Sequence, residues 1–348
     1  MKMLITGGSG FIGSNFILNY IDKHEIFNYD LNTYAGNNKN LESIKNHHNY
    51  TFQKGDIKDS ILFKKILFEF NPDSIINFAA ESHVDRSIDG PKVFIQTNII
   101  GTYELLNSSL IYFKSLNDIK KEKFKFVHIS TDEVYGSLSL DGKFTENTPY
   151  SPSSPYSASK AASDHLVKAW FHTYDFPINI TNCSNNYGPY QFPEKLIPLI
   201  IMNCLNNKKL PIYGKGLNVR DWIYVDDHCK AIFDVLNYGM IGETYNIGGN
   251  QELTNISIVK KICEILDEIR PSTYVKSYSD LITFVKDRPG HDFRYAIDST
   301  KINEQLNFSP KETIDEGLRK TIDWYLKNED WINDINKSKY TQERLGNI

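Results

Sequence analysis

The chain is poor in cysteine and carries it in no metal-binding pattern. Cys183, Cys204, Cys229 and Cys263 are scattered through 348 residues with no C-x-x-C pair. Neither a zinc site nor a disulfide framework is expected, no metal is called for, and a reducing cytoplasm fits. Long apolar runs are also missing, since none approaches the ~20 residues that span a bilayer. The apolar start at Met3-Leu4-Ile5 is cut by glycines at 7, 8, 10 and 13, with no small-residue cleavage site after them, unlike a signal peptide. Charge of one sign is not in excess. A net charge of −4 supplies no electrostatic pull toward nucleic acid or an anionic membrane. Internal repeats are not visible. What is present is ordinary for a soluble protein with a real core: 40% hydrophobic and 24% charged residues. The length predicts one large or two closely packed domains.

Short apolar segments alternate with amphipathic ones through the first half. Lys2 to Thr6, Glu25 to Tyr29, Tyr50 to Lys54, Ser74 to Phe78 and Phe124 to Ser130 read as strands. Phe11 to Tyr20, Ser60 to Phe70 and Phe94 to Phe113 read as helices. This alternation predicts an α/β fold, a Rossmann-type doubly wound parallel sheet with helices on both faces. Beyond Tyr187-Gly188-Pro189 the elements shorten between prolines. The lysine-rich stretch 114–123 reads as a surface loop or a fraying helix end.

Gly7-Gly8-Ser9-Gly10-Phe11-Ile12-Gly13 follows a strand and opens a helix, the context a dinucleotide fingerprint requires. Gly7 and Gly10 allow a tight turn against a pyrophosphate, Gly13 lets helix pack on sheet, and the helix N-terminus faces the anion. Asp30 ends the next strand, where an acid binds the adenosine ribose, and no arginine beside it welcomes a 2′-phosphate. NAD is therefore expected over NADP. Asp56-Ile57 either caps a helix or touches the adenine. Small residues at Ala79, Ala80 and Ser82 suit close passage of a cofactor or simple packing at a strand end.

Tyr156 and Lys160 share one face if their segment is helical, and Pro155 suits its first turn. Lowering a tyrosine from pKa ~10 to ~7 takes roughly 4 kcal/mol. An ammonium at contact provides about that much at an effective dielectric near 20. Asp132 and Glu133 follow a strand end, where open α/β sheets place their sites. Neighbours in a strand point to opposite faces, so to serve one substrate the two must sit in a turn just past it. There they can divide acid and base roles by pKa.

Together these residues identify a resemblance. With Thr131-Asp132-Glu133-Val134-Tyr135-Gly136, Ala79 to Ile88, Ser184 to Gln191, Arg220-Asp221-Trp222 and Asp287 to Asp292, the chain resembles the dTDP-glucose 4,6-dehydratases of the extended short-chain dehydrogenase/reductase superfamily. The likeness runs from Gly7 to about Trp331, and the Asp-Glu pair separates it from related epimerases and decarboxylases. It implies that Tyr156 takes the 4-hydroxyl proton as C4 gives hydride to NAD, and that Lys160 holds the nicotinamide ribose and lowers the tyrosine's pKa. Thr131 binds the C4 oxygen, Glu133 removes the C5 proton and Asp132 protonates the departing 6-hydroxyl, before hydride returns to C6. It implies cofactor contacts from Gly7, Gly10, Phe11, Ile12, Gly13, Asp30, Asp56, Ile57, Ala79, Ala80, Ser82, Thr97, Tyr156, Lys160 and Asn186. For the nucleotide sugar it implies Ser82, Thr131, Asn185, Lys195, Leu196, Pro211, Tyr213, Arg220, Asn255, Arg288 and His291. Guanidinium forks such as Arg220 and Arg288 match phosphate oxygens.

The resemblance also implies two domains: residues 1–182 and 221–248 for NAD, and a smaller mixed α/β part, 183–220 and 249–335, for the nucleotide sugar. It implies a homodimer through a four-helix interface from about 98–113 and 156–173, with Leu106, Leu110, Leu166 and Trp170 supplying apolar contacts. Two alternatives stand beside it. One keeps the chemistry on UDP-glucose or a UDP-N-acetylhexosamine, because one methyl group discriminates by only ~1–3 kcal/mol. The other is an NAD-binding protein without catalysis, which the intact set Thr131, Asp132, Glu133, Tyr156 and Lys160 argues against.

Overall fold

A computed structural model of the chain describes residues 1–338. Seven parallel strands form the main sheet: β1 (Lys2–Thr6), β2 (Glu25–Asp30), β3 (Tyr50–Lys54), β4 (Ser74–Asn77), β5 (Lys125–Thr131), β6 (Ile178–Cys183) and β7 (Thr244–Ile247). Their spatial order is β3-β2-β1-β4-β5-β6-β7. The order therefore reverses beside β1, the switch point at which doubly wound sheets bind ligands. The inner strands are buried on both faces, which is why they read as apolar runs. Helices α1 (Phe11–Tyr20), α2 (Ser60–Phe70), α3 (Thr102–Ser115), α4 (Pro155–Tyr174) and α5 (Val225–Tyr238) cover the faces. Leu67, Leu106, Phe126 and Ile180 pack on one side. Phe16, Ile17, Val127, Ile232 and Ile247 pack on the other. Ile302 and Phe308, from the 249–335 stretch, join this second layer.

The remaining core gathers residues from Tyr187 to Ile335, including Ile200, Ile258, Leu318 and Tyr325. It is built on helices Leu196–Leu205, Asn255–Ile269 and Ile314–Lys327 and on two small sheets. One joins Glu252–Thr254, Val219–Tyr224 and Asn185–Tyr187; the other pairs Leu210–Tyr213 with Ile282–Val285. No helix among the described residues is long and apolar enough to cross a membrane.

The helix expected from Phe94 to Phe113 runs from Pro91 to Ser115, with a π-helical stretch at Ile95–Gly101. The wide turn presents Asn98 inward. Its Oδ1 accepts from the Glu81 N–H at 2.9 Å, and its Nδ2 donates to the Glu81 carbonyl and to Ser159 Oγ at 3.0 and 2.8 Å. This stitches the exit of β4 to α4. One expectation is corrected here. Leu106 and Leu110 are buried inside the protomer against Leu67 and Phe124, so they cannot supply an intermolecular face. The stripe that meets solvent on this helix is Ile95, Ile100, Tyr103 and Ile111. A strongly periodic helix can hide one stripe and expose another, and periodicity does not say which.

Candidate active site

A cavity of about 320 Å³ opens along the carboxyl ends of β1, β2 and β4. Gly7, at φ +73°, runs so close to the exit of β4 that a Cβ would lie 2.5 Å from Ala79 N. Gly13 lets α1 press on the same turn, where a Cβ would stand 2.5 Å from the Gly7 carbonyl oxygen. Helix α1 starts at Gly10 with no side-chain cap and no acidic residue in its first turn, so its unsatisfied N–H groups and dipole favour an anion. Asp30 is held by the N–H groups of Ser9 and Asn32, at 2.9 and 2.7 Å, with its carboxylate on the cavity wall. Asp56, which accepts from the Lys58 N–H at 2.9 Å, shares that wall with Ile57. An anion cradle at one end and a fixed acid at the other fit a dinucleotide. Every residue expected to touch the cofactor lines this cavity except Tyr156, Lys160 and Asn186; Lys160 meets its wall at the Ile129 carbonyl.

The inner end is built by β5 and α4. Thr131 closes β5 and its Oγ1 accepts from the Glu133 N–H at 3.3 Å, starting a single 3-10 turn, Asp132–Tyr135. That turn breaks strand alternation and lets both carboxyls serve one place. Opposite it, Ser154 and Ser157 cap α4 reciprocally, with Pro155 in the first turn. Tyr156 and Lys160 therefore stand on the face turned to the sheet, both nearly buried. Lys160 Nζ donates to the Ile129 carbonyl at 2.8 Å and lies 3.4 Å from His128 Nε2.

Electrostatics separates the two carboxyls. Burial, then Glu133 and Asp221, hold Asp132 well above the usual carboxylate range, with Arg220 and Thr131 opposing. Its Oδ2 is buried with no hydrogen-bond partner among the described residues, as a protonated acid awaiting an acceptor would be. Burial also raises Glu133, but Arg288, Lys195 and Arg220 all pull it back. Burial, then Glu133 and Cys183, raise the Tyr156 phenol well above its ordinary value, with Thr131 lowering it. This is opposite to the direction expected from the lysine. The reason is first the burial of the phenol and then the acids around it, while Lys160 Nζ is turned to Ile129 and His128.

The expected sugar-nucleotide groups converge from the smaller core. Lys195 Nζ donates to the Ser82 carbonyl at 2.9 Å. Tyr213 Oη and Arg288 Nη1 both donate to Asp85, at 2.8 and 2.7 Å. Arg220 is buried, held by the Val219 and Asp292 carbonyls and lying over the Tyr295 ring. His291 Nδ1 is 2.6 Å from Asp287 Oδ1, and its ring is 6.0 Å from that of Tyr213. The Asn255 N–H meets the Asn218 carbonyl, and Asn218 in turn reaches the Asp292 carbonyl. Asn185 and Asn186 share one strand, and Asn186 Oδ1 lies 2.8 Å from His228 Nδ1. Leu196 packs on the smaller core, and Pro211 sits in the strand that ends at Tyr213.

The family model for GDP-mannose 4,6-dehydratase matches residues 4–321. The dTDP-glucose 4,6-dehydratase of Xanthomonas campestris pv. campestris (strain B100) is 53% identical over 344 residues, 99% of this chain and 98% of that protein. The chain belongs to the dTDP-glucose 4,6-dehydratase family. Two solved dTDP-glucose 4,6-dehydratases superpose over 96% of it. The Bacillus anthracis protein, in complex with NAD, has a TM-score of 0.85 and 46% identity over 99% of its own chain. The Streptomyces venezuelae protein, also solved with NAD, has 0.87 and 43% over all of its chain.

Some side chains of this dehydratase-family site carried no role in the sequence reading. His128 and Ser130 alternate on β5 beneath Lys160; Ser130 Oγ donates to Asp164 Oδ2 at 2.8 Å, and His128 Nε2 lies 3.4 Å from Asp164 Oδ1. Burial, then Lys160, lower His128 to about 4, so the ring is neutral. Polar residues at period 2 inside an otherwise apolar strand were the available signal. Asp221, beside Asp132, and Asp85 lay within motifs already quoted, but what they touch is distant in sequence.

Proposed function

We propose that this chain dehydrates dTDP-glucose to the 4-keto-6-deoxy sugar nucleotide, with NAD as its resident cofactor. The observation that carries the reading is the buried pair Asp132 and Glu133 beside Tyr156, one carboxyl pushed toward its protonated form by burial and neighbouring acids and the other faced by three cations. Oxidation alone needs no such pair, whereas elimination of water needs an acid and a base. Gly7, Gly10, Phe11, Ile12 and Gly13 cradle the pyrophosphate, Asp30 takes the adenosine ribose, and Asp56 and Ile57 the adenine. Ala79, Ala80, Ser82, Thr97 and Asn186 line its path. When bound, NAD supplies a reversible hydride acceptor next to the sugar.

With NAD bound, the nicotinamide's positive charge and Lys160 would oppose the burial that raises the phenol. As phenolate, Tyr156 Oη then removes the 4-hydroxyl proton, while Lys160 fixes the ribose side of the site and Thr131 holds the C4 oxygen. The resulting 4-ketone acidifies C5, from which Glu133 takes the proton. Asp132 gives its proton to the 6-oxygen, which leaves as water, and Glu133 returns its proton to C5. At the end the phenol has gained a proton and Asp132 has lost one, so one proton must cross between them. The Thr131 hydroxyl, 3.4 Å from Asp132 Oδ1 and interacting with the phenol, is placed for that return. Arg220, Arg288 and Lys195 take the diphosphate, with Tyr213, His291, Asn185 and Asn255 completing the nucleotide-sugar site and Leu196 and Pro211 in its wall.

We further assign residues 1–182 and 221–248 to a cofactor domain and 183–220 and 249–335 to a substrate domain. The protein works as a cytoplasmic homodimer, joined through the exposed apolar stripe Ile95, Ile100, Tyr103 and Ile111. Parallel assays with dTDP-glucose and UDP-glucose, following 4-keto sugar formation, test the substrate. Turnover confined to dTDP-glucose is expected; preference for UDP-glucose would move the assignment to that nucleotide, and turnover of neither would remove it.

A further inference from the structure

Asp85 is a buried carboxylate that the proposed chemistry leaves unused. It sits in the short helix Val84–Asp89, 5% exposed. Its Oδ1 accepts from Arg288 Nη1 at 2.7 Å and its Oδ2 from Tyr213 Oη at 2.8 Å. Those donors stand 203 and 128 residues away along the chain. The same turn is tied to the smaller core twice more, by Lys195 Nζ on the Ser82 carbonyl and by Arg86 Nε on Glu194 Oε2 at 2.8 Å. Burial pushes the Asp85 carboxyl up, but the Arg288 charge and the two hydrogen bonds outweigh it, so the group is ionised at neutral pH. Arg288 Nε is buried with no partner among the described residues. The guanidinium is thus pinned on one edge and has donor capacity left for an incoming acceptor.

We propose that Asp85 is a positioning residue for the substrate's diphosphate, fixing the Arg288 fork and the Tyr213 hydroxyl where phosphate oxygens are received. The inference rests on the reading of Arg288 and Tyr213 as substrate groups. It makes a prediction against simple charge counting. A carboxylate near an anion site repels the anion, so its removal would tighten binding by Coulomb's law alone. If orientation governs, removal loosens binding, because an unpinned guanidinium must be ordered when the ligand arrives.

The test titrates thymidine diphosphate into NAD-loaded wild type, Asp85→Ala and Asp85→Asn by calorimetry, and measures kcat and KM for dTDP-glucose. Asp85→Ala is expected to weaken binding on the order of 10- to 100-fold, the worth of hydrogen bonds to a charged group. KM should rise in parallel with kcat nearly unchanged, the signature of lost uniform binding. Asp85→Asn, which keeps one acceptor, should recover part of the loss. Tyr213→Phe should move KM the same way by less, and it carries the test if Asp85→Ala does not fold. Tighter or unchanged diphosphate binding in the variants would overturn the proposal, as would a fall in kcat at constant KM. If the wild type neither binds thymidine diphosphate nor turns over dTDP-glucose, the functional reading fails and this inference falls with it.

Discussion

Asp132 and Glu133 are separated by one peptide bond and differ in what faces them, and that difference sets their chemistry. Burial raises both; Glu133 and Asp221 add to it at Asp132 with Arg220 opposing, whereas Arg288, Lys195 and Arg220 oppose it at Glu133 with Asp292 adding. Exchanging Asp132 for Asn or Glu133 for Gln should leave the first oxidation intact. Each variant mixed with substrate should accumulate NADH absorbance and release product about 10²–10⁴-fold more slowly. Tyr156→Phe should instead slow the appearance of NADH itself. Near-normal product release by Glu133→Gln would remove that residue from the elimination step. A second outcome follows from pH. A base works only when ionised, and burial raises Glu133, so turnover should fall as pH drops through a value above the ordinary glutamate pKa of about 4.3. The pH profile of kcat checks this, and an acid limb at or below that value would contradict it. The residue scale was largely legible in the sequence. The glycine turn, Asp30, and the acid pair past β5 are local patterns whose geometry follows from strand and helix periods. The raised state of Tyr156 was not legible, because it depends first on burial and then on neighbours from two other stretches of the chain, 131–133 and Cys183.

The helix from Pro91 to Ser115 divides its work between two stripes, one inward and one outward. Leu106 is fully buried against α2 and the sheet. Leu106→Ala should therefore cost about 2–5 kcal/mol of unfolding free energy, read from denaturant melts, without changing the oligomeric state. Tyr103, 40% exposed and edge-on to Trp170, lies on the stripe proposed to join two protomers. Tyr103→Glu should yield a monomer by light scattering with a protomer stability close to wild type. If Leu106→Ala dissociated the protein and Tyr103→Glu did not, the division of faces would be reversed. At this scale the strands and helices of the first half were readable to within a few residues. The π-helical stretch that aims Asn98 at Glu81 and Ser159 was not, since its cause is a tertiary partner rather than a local propensity.

At the scale of the whole molecule, the site exists only because two cores meet over the end of β5. The main sheet supplies the dinucleotide cavity and the Tyr156, Asp132 and Glu133 constellation. The smaller core brings Lys195, Tyr213, Arg220 and Arg288 to it, and contacts such as Asp85 with Arg288 span most of the chain. No local pattern encodes such a pairing, so motifs could name the arginines but not what orients them. The central claim is that hydride leaves C4 and returns to C6 of the same sugar, between groups that never release it. The most direct measurement uses dTDP-glucose carrying deuterium at C4 and follows the label by NMR in the 4-keto product. The account predicts the deuterium at C6, with no net NADH formed and no reductant added. Deuterium retained in an accumulating pool of reduced cofactor, or lost to water, would contradict it.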